Sequence, residues 1–82
     1  MGNNIESCVH SIKKLIPNDT SDENIILFKK EFAYSGELFN SYRIDEAIKH
    51  LEDTRELLSG YPEITSELQT LLNLLDIRRK NM

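Results

Sequence analysis

Residues 43–62 read RIDEAIKHLEDTRELLSGYP, and the way this stretch winds decides the fold class. At 3.6 residues per turn, Ile44, Ala47, Ile48, Leu51, Thr54, Arg55 and Leu58 gather within an arc of roughly 120°. Asp45, Glu46, Lys49, Glu52, Asp53 and Glu56 take the opposite side. The spacing predicts an amphipathic helix over 43–58, packed through one face and charged on the other. Gly60 is expected in the left-handed position that closes a helix, and Tyr61-Pro62 blocks any extension.

Working outward, the same periodicity predicts three more helices. Over 63–79, Ile64, Leu68, Leu71, Leu72, Leu74 and Leu75 cover a wider apolar arc of roughly 160°, which makes this helix the expected centre of the core. Its end, Arg78-Arg79-Lys80, sets positive charge at the negative end of the helix dipole. Over 21–39, Ile25, Phe28, Phe32 and Phe39 share a face with Gly36, which would admit a close neighbour or mark a kink. Thr20 and Glu23 have capping-box spacing at the start of that helix. A second apolar stripe, Leu27, Tyr34 and Leu38, lies nearly opposite and is a candidate interface, including one between two copies of the chain. Over 4–16, Ile5, Cys8, Val9, Ile12, Leu15 and Ile16 form the inner face, with Asn3 or Asn4 as cap and Pro17 as the stop. Four helices with short connections predict a single all-α domain over 1–82, a small four-helix bundle of antiparallel helices.

Composition narrows the class of function. The 82 residues allow one core and no more. A single cysteine, Cys8, forms no intramolecular disulfide and suits a reducing compartment. The N-terminus has no basic region followed by an apolar run, no segment reaches transmembrane length, and Glu6 breaks the myristoylation pattern, so a cytoplasmic protein without a membrane is expected. The net charge of −4 is unevenly spread. Asp45 to Glu67 holds seven acids against Lys49 and Arg55, a balance that disfavours direct nucleic-acid binding and suits a basic protein partner.

No catalytic or metal signature stands out, and neither an enzyme nor a cofactor is expected. Cys8 and His10 diverge by roughly 160° on a helix and cannot chelate one ion. Glu52 and Glu56 lack the Glu-x-x-His pattern of di-iron bundles. The segment CVHSIKKL, residues 8–15, resembles the histidine box of phosphotransfer domains, with His10 at the phosphorylatable position and Lys14 where that family has glycine. A binding stripe is the stronger candidate. Glu46, His50, Asp53 and Leu57 follow one another at spacings of four, three and four, an apolar side chain among acids. Electrostatic steering is expected from Asp45, Glu46, Glu52, Asp53, Glu56 and Glu63, with Leu57 and Tyr61 as apolar anchors.

Two further resemblances bear on the chain. DEAIKHL, residues 45–51, resembles the start of the second helix of a tetratricopeptide repeat, with Ala47 and Leu51 at matching positions. That likeness implies a helical hairpin. Gly36-Glu37, followed by an Ala-x-x-x-Leu helix and a leucine-rich closing helix, is similar to Maf-type and related immunity proteins of bacterial polymorphic-toxin systems. The resemblance implies a cytoplasmic protein that binds the toxin domain of its own strain, often a nuclease, and blocks its active site or substrate groove.

Overall fold

A computed structural model describes residues 5–81; Asn3 and Asn4, the expected caps of the first helix, lie outside them. Four α-helices follow in order: α1 Ile5–Leu15, α2 Glu23–Asn40, α3 Ile44–Thr54 and α4 Pro62–Lys80, with a 3₁₀ turn Arg55–Leu58 between α3 and α4. They form a small antiparallel bundle 39 × 25 × 18 Å in extent, its least dimension matching two layers of helices packed 8–10 Å apart. The starts of α2 and α4 meet where Tyr61 Oη donates to Asp22 Oδ2 at 2.8 Å. The start of α3 meets the end of α4 where Arg79 bonds to Asp45 at 3.2 Å. No helix among the described residues is long and apolar enough to cross a membrane.

Neighbour relations are unequal. α2 and α3 form the most extensive pair, α3 also packs on α4, and α4 carries α1, whereas the backbones of α1 and α2 do not approach each other. The centre is therefore shared between α3 and α4 and does not belong to α4 alone. Five of the eleven residues of α3 are buried, namely Ile44, Ala47, Ile48, Leu51 and Thr54. Of the inward arc expected for this helix only Arg55 points to water, where it donates to Gln69 at 2.7 Å. Phe28, Ile12, Ile25, Leu58 and Leu68 have no exposed surface, and each such side chain contributes roughly 1.5–3 kcal/mol through burial. Cys8 lies in this core, and burial, with the Glu67 charge second, pushes its thiol above the usual range.

Three local expectations are corrected. The cap of α2 is Asp22, whose carboxylate accepts from Asn24 N at 2.9 Å, while Thr20 Oγ1 accepts from Asp22 N at 3.1 Å in the turn ahead of it. The hydroxyl and the cap thus act in series, and the helix opens at Glu23. The buried face of α2 runs through Ile25, Phe28, Phe32, Ser35 and Leu38, turning toward α3 along the helix. Leu38 is only 3% exposed and leaves the outer stripe. Gly36 is turned outward, and a Cβ placed on it meets nothing within 4 Å, so it admits no neighbouring helix.

The left-handed residue sits at Tyr42 with φ 64°, and Gly60 has no positive φ. Arg43 N bonds to Leu38 O and Tyr42 N to Phe39 O, at 2.8 and 3.0 Å, the paired bonds of a Schellman closure with Tyr42 where glycine is usual. A side chain in this region costs roughly 1–2 kcal/mol, and Tyr42 is 81% exposed, so little packing offsets the strain. Tyr42→Gly is expected to raise stability by about 1 kcal/mol, or roughly 4–8 °C in Tm for a domain of this size. A thermal melt with an unchanged or lower midpoint would contradict that.

Candidate interaction surface

The outer side of α3 and its continuation carry the acids singled out by the sequence. Asp45, Glu46, Glu52, Asp53, Glu56 and Glu63 are all exposed. Two of them are engaged: Glu46 accepts both Nε and Nη2 of Arg43 at 2.5 and 2.7 Å, and Asp45 accepts from Arg79. Glu52, Asp53, Glu56 and Glu63 have no ion-pair partner among the described residues. Solvated surface pairs are worth little, but unpaired acids keep their full charge for a partner.

Between α3 and α4 lies an open trough of about 660 Å³. Asp45, Glu52, Asp53 and Asp76 line it, against Lys49 and Arg79. Lys80, hydrogen-bonded to Asp76, and Arg79 beside it hold the Asp76 carboxyl below its ordinary range. No group of three or more His, Cys, Asp or Glu side chains suited to a metal ion occurs among the described residues.

The apolar half of the expected stripe is not assembled. The α-helix stops at Thr54, whose hydroxyl donates to Leu51 O at 2.8 Å, and Arg55–Leu58 tighten into a 3₁₀ turn. At three residues per turn, Leu57 no longer continues the row of Glu46, His50 and Asp53. It is half-buried and packs against the core. His50 is also occupied: its Nδ1 lies 3.0 Å from Glu31 Oε1, and Tyr34 meets its ring edge-on at 4.9 Å between centroids. These contacts join α2 to α3 and divide the outer stripe of α2, leaving Leu27 exposed and Tyr34 partly committed.

Tyr61 is a structural tie and not a free anchor. Its hydroxyl bond and the Asn24 amide together hold the Asp22 carboxyl below its ordinary 3.8, while the same bond to Asp22 raises the Tyr61 phenol above 10.0. The Asp22 contribution to stability is complete above the unfolded carboxylate pKa and is lost as pH falls through the lowered folded value. The Tyr61 contribution is complete below the unfolded phenol pKa and is lost as pH rises through the raised one. Tyr61→Phe is therefore expected to narrow the stability difference between about pH 7 and about pH 3. Urea midpoints at the two pH values measure it, and equal differences in the variant and the parent would contradict the tie.

Periodicity missed one aromatic. Tyr42 stands fully in solvent at the start of α3, directly ahead of Asp45 and Glu46. Its only signal was the tight Asn40–Arg43 connection, which needs one left-handed residue and contains no glycine. His10 is exposed on α1, as its position beside buried Cys8 requires. No protein-family model matches this chain, and no curated protein or solved structure matches it. The functional reading accordingly rests on the residues themselves.

Proposed function

We propose that this chain is a non-enzymatic binding protein that uses the acidic side of α3 to neutralise a basic protein partner, and that it acts as an immunity protein against a bacterial toxin domain of the nuclease type. The observation that carries the reading is the set of exposed, unpaired acids Glu52, Asp53, Glu56 and Glu63, of which Glu52 and Asp53 line the α3–α4 trough. A nuclease groove is built to attract phosphate, so its positive potential is complementary to this surface. Steering by the acids raises the encounter rate, and Tyr42 supplies the exposed aromatic side chain expected of an anchor.

The test is co-expression in the cytoplasm with the toxin domain encoded by the adjacent reading frame. Growth rescue with a stable complex supports the reading. A toxin that still kills, with no complex on size-exclusion chromatography, rules it out. A homodimeric regulatory domain is the second reading, favoured by Ile26, Leu27 and Tyr34, which are 43%, 45% and 46% exposed on α2. Sedimentation at micromolar concentration separates the two, because that reading requires a dimer in the absence of any partner.

A further inference from the structure

The short connection between α2 and α3 divides the chain into two halves that hold each other together. α1 packs on α4, and α2 packs on α3 and on the 3₁₀ turn, while the backbones of α1 and α2 do not approach each other. The first two helices are therefore placed by the second two. Side-chain bonds follow the same division, since Tyr61 reaches Asp22 at 2.8 Å and His50 lies 3.0 Å from Glu31.

We propose that the chain pairs with a second copy by exchanging these halves: the connection opens, and α1 and α2 of one molecule dock on α3 and α4 of the other. Strain in the connection favours the exchange. Tyr42 is held at φ 64°, a conformation that the opened chain abandons, whereas Ser41 and Arg43 already have negative φ, −95° and −102°. No glycine stands there to take the left-handed turn without cost. The opened connection is extended and not helical. Tyr34 and His50 meet across the α2–α3 contact, yet on one continuous helix they would fall about 160° apart and could not both face the second molecule. An aromatic residue at Tyr42 suits the extended form. Closure within one chain has an effective concentration of millimolar order. Relief of the strain in two copies favours exchange by at least about thirtyfold, which brings the dimer to roughly tens of micromolar.

The test needs no foreign partner. The chain is unfolded in urea, refolded at about 3 and about 300 µM, and examined by sedimentation velocity. A monomer is expected at the lower concentration and mainly a dimer at the higher. Because exchange requires α1 and α2 to leave the core, the dimer should persist on dilution and dissociate no faster than the chain unfolds. Tyr42→Gly is expected to raise the dimer Kd at least about thirtyfold, and Tyr42→Val, whose branched side chain tolerates the left-handed region worse, to lower it. Leu27→Glu, at an exposed position of α2, should leave the dimer intact, which separates exchange from pairing through the outer face of that helix. A monomer at both concentrations, the same dimer Kd in Tyr42→Gly, dissociation faster than unfolding, or loss of the dimer in Leu27→Glu overturns the proposal. None of these outcomes bears on the acidic side of α3, so the protein-partner reading stands or falls separately.

Discussion

Phe28→Ala is expected to remove about 3–5 kcal/mol of stability, the usual range for deleting a buried aromatic side chain. Phe28 has no exposed surface and stacks on Phe32, with ring centroids 5.5 Å apart and planes at 29°. A chain of 82 residues has only about 4–12 kcal/mol to lose. The cavity would open where α2 joins the shared core, and the small domain has little other apolar area with which to close it. In a thermal melt the midpoint should fall by more than about 12 °C. The neighbouring substitution Leu27→Ala, at an exposed position, should change stability by no more than about 0.5 kcal/mol. Equal losses in the two variants would mean that α2 is turned the wrong way.

Reversing Glu52, Asp53 and Glu56 to lysine is expected to slow association with a basic partner at least about tenfold at low ionic strength, since steering of this kind is worth 10- to 1,000-fold in on-rate. None of the three holds another side chain in an ion pair, so the folded state should survive the change. The net charge moves by six units, from −4 to +2, and the local field changes sign. Lys49→Glu, on the same side of α3, should act in the opposite direction and quicken association. The pair of variants separates a directed charge effect from general damage to the surface, which would slow both.

Local patterns made the helices legible. Periodicities of the inner faces placed α1, α2, α3 and α4 within two residues at most ends, because burying Ile12, Phe28, Leu51 and Leu68 requires helical spacing. Illegible features depend on how the helices meet. Gly60 looked like the left-handed residue, yet the Asn40–Arg43 connection imposes that conformation on Tyr42. Leu38 shares a helical stripe with Leu27 and Tyr34, but α2 lies against α3 along a line that buries Leu38 and leaves the other two outside.

The acidic side of α3 was legible as charge but not as a complete site. The expected anchors Tyr61 and Leu57 were lost to a bond with Asp22 and to the 3₁₀ turn, and His50 of the expected stripe to Glu31 and Tyr34. Each loss came from a contact or a change of helix type that spacing within one helix does not report.

Stopped-flow measurement of the association rate with the proposed toxin-domain partner, across ionic strengths from about 0.01 to 0.5 M, tests the central claim most directly. The acidic surface predicts a steep fall in rate with added salt for the natural chain, and a nearly flat or rising rate for the Glu52, Asp53 and Glu56 reversal. The same salt dependence in both proteins would show that these acids do not guide binding.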